Sequence, residues 1–404
     1  MSNRFANQPS SRRQIATLAI VLALPGCVVN AVSAPPMPFE AERRIQRSLE
    51  VPPGVTLRIE NLAGGFWIEP ADGPNVEIEV LVHAAGNEQD EANTLAERIE
   101  LALEELNETQ ILRATYPVDD YTEFYYPGAG ESHSLFGIFE TSNTRLEYMG
   151  GRVRVSTRRG GRSASVWADF HVRVPRGTRL QVLNAIGAID SVSLSGEVSL
   201  EVPVGSIKSR NGEGRVELDT GSGSITVEGH RGDVLADTGS GRVVMSEVVG
   251  NVVADTGSGI VRLTRVTAES VEVDTGSGGV TLDQVSGSIS VRTGSGSVRA
   301  DGVVSGERVL VSTGSGRVRL NGDVSRARNI ERNTSSGRVE LRLSDYPAMN
   351  LELSTGSGGI DVDLPMLVLD RDERHVVVGR AGGDPVASLV IDTGSGSIRI
   401  SKGS

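Results

Sequence analysis

The chain has 404 residues, of which 49 are glycine and only 15 are aromatic, and its formal charge is −12. This acidity argues against a nucleic-acid partner, because phosphate binding needs a basic face. Cys27 is the only cysteine, which excludes an intramolecular disulfide and leaves no thiol nucleophile downstream of it.

Residues 1–27 have the pattern of an export signal, with arginines near the start and a short apolar run over residues 15–24. That run is too short to span a bilayer as a helix, which needs about 20 residues. The ending Leu24-Pro25-Gly26-Cys27 resembles a bacterial lipobox, in which Cys27 would be lipidated and become the mature N-terminus. An ordinary cleaved signal with an incidental cysteine is the alternative, and Ser11-Arg12-Arg13 leaves the twin-arginine route open.

Residues 28–50 contain the segment Ala34-Pro35-Pro36-Met37-Pro38, followed by a stretch of mixed charge. Proline-rich segments of this kind are extended spacers. We therefore expect residues 28–50 to form a tether between a lipid anchor and a folded body.

Residues 51–183 are predicted to be an N-terminal β part that begins with a degenerate coil at Leu57–Ile68. Residues 88–106 are predicted to form one amphipathic helix, with Asn87 as its N-cap. The apolar side of that helix would carry Ala92, Leu95, Ala96, Ile99, Leu103 and Leu106. We expect the helix to pack across an open solenoid end or a sheet face, where unpaired strand edges invite aggregation.

A loop over residues 116–150 holds eight of the fifteen aromatic residues. These are Tyr116, Tyr121, Phe124, Tyr125, Tyr126, Phe136, Phe139 and Tyr148. A tyrosine-rich loop in an aromatic-poor chain is a candidate contact surface. The alternative is a loop that folds back over the solenoid or the helix, and the sequence does not separate the two.

A repeat of about 18–21 residues dominates residues 184–404 and decides the fold. Its corner is Thr-Gly-Ser-Gly or a close variant, at Thr220, Thr238, Thr256, Thr275, Thr293, Thr313, Thr334, Thr355 and Thr393. Asn184 and Val202 begin degenerate copies upstream, again 18 residues apart. The 38 residues between the last two threonines are about two periods, so one coil there is diverged or carries an insertion.

Each period contains two short runs rich in β-branched residues, separated by turns that contain glycine. This pattern predicts β-strands. One such unit cannot bury its apolar side alone, whereas stacked units share a core. The glycines are expected to provide positive φ and close coil-to-coil approach, and the stacked threonines a ladder of hydroxyls. Asp219, Asp237, Asp255 and Asp274 would stack as well and repel, so we expect them to face water and cap turns rather than bind metal. The predicted fold is mainly β: a single β-solenoid with one helix and one aromatic loop insertion.

The sequence offers no convincing catalytic site, cofactor site or metal site. Asp-Thr-Gly resembles the aspartic protease motif, but it occurs five times, mostly at coil spacing, whereas that chemistry needs two carboxylates sharing one proton. The five histidines show no metal-ligand spacing. They are His83, His133, His171, His230 and His375.

Together, Leu57–Asn61, the acidic helix, Val172–Gly177 and the Thr-Gly-Ser-Gly series resemble a bacterial family of adhesin-like envelope domains of unknown function. The resemblance covers residues 50–404 and implies β-strand repeats without agreed catalytic residues. We expect a non-enzymatic lipoprotein of the cell envelope, anchored in the outer membrane and facing the periplasm or the cell surface, that binds an envelope ligand or acts as a scaffold. The alternatives are a rod that self-associates through its solenoid ends and a polysaccharide-processing β-helix enzyme.

Overall fold

A computed structural model describes residues 37–130, 143–156 and 163–403. The N-terminal elements are β1 (Phe39–Leu49), β2 (Thr56–Ala63), β3 (Phe66–Pro70), β4 (Val76–Gly86), α1 (Gln89–Glu97), β5 (Glu100–Leu106), β6 (Thr109–Thr115), β7 (Glu123–Tyr125), a 3-10 turn (Pro127–Gly130), β8 (Asn143–Tyr148), β9 (Gly151–Ser156) and β10 (Ala164–Val174). The first half of the repeat region contains β11 (Arg179–Ile186), β12 (Ile189–Val192), β13 (Ser195–Glu201), β14 (Ile207–Arg210), β15 (Glu213–Thr220), β16 (Ile225–Glu228), β17 (Val234–Thr238), β18 (Val243–Val249), β19 (Val252–Thr256) and β20 (Val261–Thr275). The second half contains β21 (Val280–Thr293), β22 (Val298–Thr313), β23 (Val318–Asp323), β24 (Asn329–Thr334), β25 (Val339–Asp345), β26 (Met349–Thr355), β27 (Ile360–Asp363), β28 (Val368–Glu373), β29 (Val376–Ala381), β30 (Ala387–Thr393) and β31 (Ile398–Lys402).

The strands stack in parallel and in register as a β-solenoid, which confirms the predicted fold class. A first face consists of the strands that run into the threonine corner. Its order is β2, β11, β13, β15, β17, β19, β20, β21, β22, β24, β30 and β26. A second face consists of the strands that leave the corner. Its order is β3, β12, β14, β16, β18, β20, β21, β22, β23, β25, β31 and β27.

Burial alternates along the stacked strands of the two faces, because successive side chains point to opposite sides of a sheet. In β15 the inward residues Val216, Leu218 and Thr220 are buried, whereas Glu217 and Asp219 are exposed. The same alternation recurs from coil to coil, so valine, leucine and isoleucine columns fill the space between the two faces. One continuous apolar core therefore runs along the rod, as expected for a solenoid.

The C-terminal coil is not the last coil of the stack. Strand β30 lies between β24 and β26, and β31 lies between β25 and β27. The predicted insertion in the 38-residue gap is the antiparallel hairpin of β28 and β29, which pairs with the outer edge of β26. The chain thus completes one coil, adds a hairpin beyond it, and returns to fill the space in between.

The other end of the solenoid is extended by strands inserted after the first coil. Strands β2 and β3 form that coil, which confirms the degenerate copy at residues 57–68. Beyond it, β6 pairs with β2 and continues into β5, while β10 pairs with β3 and continues into β4 and β1. The N-terminal part therefore continues the solenoid's sheets rather than forming a separate core.

The predicted helix over residues 88–106 is wrong in its second half. The helix ends at Glu97, and Glu100–Leu106 form strand β5 of a hairpin with β6. The turn uses Asn107 at φ 55°, a left-handed conformation that asparagine tolerates well. Leu103 and Leu106 are 46% and 61% exposed, so their helical spacing reflected a strand whose leucines face solvent.

The helix begins one residue later than expected, whereas its packing is as expected. Its N-cap is Glu88 rather than Asn87, although the backbone N–H of Asn87 donates to the Glu91 carboxylate at 2.7 Å. Ala92, Leu95 and Ala96 are buried, and the helix packs on a sheet face formed by β1 and β4, as predicted.

The tether predicted for residues 28–50 is wrong over its second part. Residues 39–49 form β1, which pairs antiparallel with the whole of β4. Arg43 on this strand donates to the carbonyl oxygens of Glu97 at 2.8 Å and Ile99 at 2.9 Å. A cation at the end of a helix satisfies carbonyls that have no helical partner, so β1 helps to terminate α1.

Candidate binding surfaces

The threonine corners are structural and buried. At eight of the nine corners the threonine hydroxyl donates to a glycine carbonyl of the neighbouring coil, for example Thr313 to Gly296 at 2.9 Å. The same hydroxyl accepts the backbone N–H three residues on, that of Gly316 at 3.0 Å. The expected ladder of hydroxyls bonded to one another is therefore wrong, because each of these hydroxyls bonds to backbone groups instead. The threonines hold coils together and are not available to a ligand.

Close approach explains the second glycine of each corner. A Cβ placed on Gly278 would lie 1.3 Å from the carbonyl oxygen of Gly259 on the preceding coil. Positive φ, which we also expected, occurs at the degenerate upstream copies Gly64, Gly187 and Gly205. The described glycines of the regular Thr-Gly-Ser-Gly corners lack it. Glycine is required there by neighbouring backbone rather than by its own conformation.

The aromatic loop does not form the predicted contact surface where it is described. Tyr116, Phe124, Tyr126 and Tyr148 are buried, and Tyr121 and Tyr125 are half-buried. Phe136 and Phe139 lie outside the described residues. The Tyr116 ring meets the edges of Phe124 and Tyr148 at centroid distances of 5.7 and 5.9 Å. These side chains cover the first coil, so the alternative of a loop folded back on the solenoid holds for them.

Tyr116 also closes the corner ladder at its N-terminal end. Its hydroxyl lies 3.0 Å from Asn61 Oδ1, and Asn61 occupies the corner position of the first coil. Asn61 in turn donates to Asn184 Oδ1 at 3.2 Å. Burial raises the pKa of both Tyr116 and Tyr148, so both phenols stay neutral. The degenerate corner asparagines were visible in the sequence, but their tyrosine partner 55 residues away was not.

The first face carries a ladder of acids on its outer side. Glu201, Asp219, Asp237, Asp255 and Asp274 lie in register on adjacent strands. Partial burial, and then the charge of a neighbouring acid, raises the pKa of Asp219, Asp237 and Asp255. These aspartates face outward, as predicted, and form a ladder rather than a facing pair. The ladder ends where Arg292 follows Asp274 and pairs with Glu272 at 2.9 Å.

The second face carries arginines in its C-terminal half. Arg299 and Arg319 are in register on adjacent strands, and Arg319 is next to Glu340 in the same row. Arg317 and Arg338 lie one residue before β23 and β25, respectively, and both are exposed. Arg262 on β20 is also exposed, two strands before Arg299. Asp283 and Asp301 lie in register on the same face, so the arginines form a local cluster on the second face rather than a uniformly basic surface.

A shallow polar hollow lies on the sheet of β1, β4 and β10. Its volume is about 310 Å³, and its charged lining includes Arg47, Glu77, His171 and Arg173. Glu69 joins this network through His171 Nε2 at 2.9 Å and Arg173 Nε at 3.0 Å. Burial alone would raise the pKa of Glu69, but the hydrogen bonds from Arg173, Trp67 and His171 lower it overall. His171 and Arg173 are already paired with Glu69 and Glu77, so these groups offer little to a charged ligand.

Among the described residues, no group of three or more His, Cys, Asp or Glu side chains could hold a metal ion. No helix within the described ranges is long and apolar enough to cross a membrane. Cys27 and the export signal lie outside the described residues, so lipidation remains a prediction. The charged faces of the solenoid are thus the candidate binding surfaces of the described chain.

Comparison with known proteins identifies the repeat region. The model of a family described as Toastrack DUF4097 matches residues 169–401, more than half of the chain. A solved structure of a proposed cell adhesion protein from Clostridium sporogenes is 10% identical, with 90% of this chain and 100% of that chain covered and a TM-score of 0.20. No curated protein shows significant similarity to the chain.

Proposed function

The chain belongs to the Toastrack family, and we propose that it is an adhesin-like, non-enzymatic binding or scaffold module of the cell envelope. In this proposal a lipid on Cys27 holds it to the membrane, and the solenoid presents its faces to an envelope or surface ligand. The family assignment supports the adhesin-like domain, and the lipobox-like ending supports the anchor.

The observation that carries the proposal is the pair of long, regular outer faces. Each face repeats the same outward positions from coil to coil at about 4.8 Å, the spacing of neighbouring strands. Solenoids use such extended surfaces to bind elongated partners. By contrast, the hollow lined by His171 and Arg173 is shallow and internally paired. An extended partner therefore suits this molecule better than a small substrate.

The strands at the sheet edges favour binding over end-to-end assembly. Strand β1 carries two glutamates followed by three arginines, β5 is rich in glutamate, and β27 places Asp361 and Asp363 outward. Among the described strands, β5 pairs only with β6 and β27 only with β31. Charged edge strands resist pairing with a second chain. These ends therefore oppose the self-associating rod.

The anchor is tested by labelling. The full chain and its Cys27→Ala variant are expressed in a bacterial host supplied with labelled palmitate. We expect label in the wild type and none in the variant, since only the Cys27 thiol can accept the lipid at a lipobox. An unlabelled wild type would contradict the anchor and leave a freely exported solenoid.

The binding role is tested on isolated envelopes with the purified full chain. We expect saturable retention of the chain without release of soluble sugar products. Product release would instead support the polysaccharide-processing alternative. A particle length, measured by light scattering, that grows with protein concentration would support the rod. Either outcome, or no retention at all, would contradict the binding proposal.

A further inference from the structure

The arginines of the second face form a defined strip. We name it the arginine strip: Arg262, Arg299, Arg317, Arg319 and Arg338, on strands β20 to β25. Arg299 and Arg319 occupy the same outward position on neighbouring strands. Arg317 and Arg338 occupy the position just before the two strands in which Val318 pairs with Val339. The strip spans five strands, about 19 Å along the rod axis.

The strip is not neutralised by the protein itself. Arg299 pairs with Asp301 at 2.6 Å, and Arg319 approaches Glu340 at 4.0 Å. In the described part of the chain, Arg262, Arg317 and Arg338 have no carboxylate within ion-pair distance. Arg338 instead donates to the Ser397 hydroxyl at 3.1 Å. Three exposed guanidinium groups on one face of an acidic protein are therefore free to pair with an external anion.

The groups between the arginines indicate the kind of anion. Thr264, Thr281 and Ser297 lie among them on the same side of the sheet. Residues 261–343 contain no aromatic residue. Single-stranded nucleic acids bind through aromatic stacking, and peripheral membrane surfaces insert apolar and aromatic side chains. This face presents guanidinium groups beside hydroxyls, with Asp283 and Asp301 in the next outward row. It instead matches a polymer in which neutral hydroxyls separate the anionic groups.

We propose that the arginine strip binds a linear anionic polysaccharide that lies along the rod axis. The planar guanidinium group forms paired hydrogen bonds with carboxylate, sulfate or phosphate, and the threonine and serine hydroxyls bond to the sugars. The proposal rests on the proposed envelope-binding function and names the chemical class of its ligand.

The acidic ladder on the first face restricts the side of the rod from which a polyanion can approach. Asp219, Asp237 and Asp255 repel a polyanion from the first face, whereas the strip attracts it to the second. Complementary charge of this kind governs orientation and association rate, and salt screens it. A polyanion would therefore approach from one side of the rod only.

The test compares two triple variants that remove the same charge. Arg262→Thr, Arg317→Ser and Arg338→Ser remove the three arginines of the strip that have no carboxylate partner. The new residues stand at the same ladder positions in neighbouring coils, namely Thr281, Ser297 and Ser397. The matched control removes three arginines on the first face or its approach that also have no carboxylate within ion-pair distance in the described chain: Arg215→Ser, Arg308→Asn and Arg326→Ser. Binding of the full chain to polygalacturonate is measured by calorimetry at low and high salt, with methyl-esterified polygalacturonate as the neutral polymer.

We expect the wild type and the control to bind polygalacturonate and not its ester, with weaker binding at high salt. The strip variant should bind about tenfold more weakly or worse, the combined effect of three exposed charge contacts. Equal losses in both variants would overturn the proposal, because net charge alone would then explain binding. Strip-dependent binding to phosphatidylglycerol vesicles or to single-stranded DNA, without binding to the polymer, would overturn it as well.

Failure here is distinguishable from failure of the proposed function. If the strip variant is retained on envelopes as well as the wild type, the strip is not the binding surface, yet the envelope-binding role stands. If neither form is retained, the proposed function itself fails.

Discussion

Thr393 lies between Thr334 and Thr355 in the corner ladder and is paired in register with both. Its hydroxyl donates to Gly337 O at 3.1 Å, and the hydroxyl of Thr355 donates to Gly396 O at 2.7 Å. Thr355 follows Thr334 by one coil length in sequence, yet the two are separated by an inserted coil. The C-terminal coil therefore pairs on both of its sides, and a hairpin rather than a bare strand covers the edge of β26.

This order predicts which cysteine pair can be linked. In a Cys27→Ala background, Asn333→Cys with Asp392→Cys places the two residues on paired strands, about 4.8 Å apart and within disulfide range. Asn333→Cys with Ser354→Cys places them two strands apart, about 9.6 Å, which is out of range. On mild oxidation, peptide mass spectrometry should find the first link and not the second. The opposite preference would show consecutive stacking of these coils.

Substitution by alanine at two adjacent glycines of one corner should change stability to very different extents. Gly278→Ala forces a Cβ to 1.3 Å from the Gly259 carbonyl oxygen, and backbone on that side cannot move without opening the coil. We expect it to lower the free energy of unfolding by about 3 kcal/mol or more. Thermal unfolding followed by circular dichroism measures the change.

Gly279→Ala is the matched control for that substitution. Its nearest atom would be Ser297 O at 3.5 Å, an ordinary contact, and its φ is not in the left-handed region. Stability should therefore change by less than about 1 kcal/mol. A comparable loss in both variants would mean that the corner is sensitive to any side chain rather than to close coil approach.

Arg332 is a buried cation in the apolar core. It is 0% exposed, and none of its three guanidinium nitrogens has a hydrogen-bond partner among the described residues. Its neighbours in the same inward column are Val311 and Ile391. Arg332→Met keeps most of the length and removes the charge, so we expect it to stabilise the fold by about 3 kcal/mol. The exposed Arg215→Met is the control, with a change below about 0.5 kcal/mol.

The stability gain from Arg332→Met should depend on pH. Burial lowers the pKa of Arg332 to about 9, below its ordinary value of 12.5. Above pH 9 the folded chain therefore binds fewer protons than the unfolded chain, and wild-type stability rises relative to the variant. The difference between the two in chemical denaturation should be constant below pH 9 and shrink above it. A constant difference at all pH values would mean that the guanidinium group stays charged in the core.

The acidic ladder should destabilise the rod at neutral pH. Partial burial and the neighbouring Asp219 raise the pKa of Asp237, so its charged form is disfavoured in the folded chain. Asp237→Asn should raise the free energy of unfolding at pH 7 by less than about 1 kcal/mol, because the site is exposed. The gain should vanish as pH falls through the aspartate pKa, since the wild-type carboxyl then gains its proton. Asp363→Asn, on the edge strand β27 away from this ladder, is the control. A gain that persists in acid would point to packing rather than charge.

Sequence periodicity determined the fold class, the corner residues and the outward acids. An 18-residue period with inward β-branched residues can bury its apolar side only by stacking, and that constraint is local enough to be read from spacing. The degenerate first coil at residues 57–68 could be recognised for the same reason.

Only the tertiary structure decided how distant segments pair. The span 88–106 fits a helix by its leucine spacing, but pairing of Glu100–Leu106 with β6 makes its second half a strand. The sequence left open whether the aromatic loop is a contact surface or packs on the solenoid, and the hydrogen bond between Tyr116 and Asn61 shows packing for that tyrosine. The place of the last coil depends on which strand edges are free when the chain returns. The spacing along the chain predicts the unit that repeats. The order in which coils stack, and the charge of each face, depend on contacts between coils that are distant in sequence.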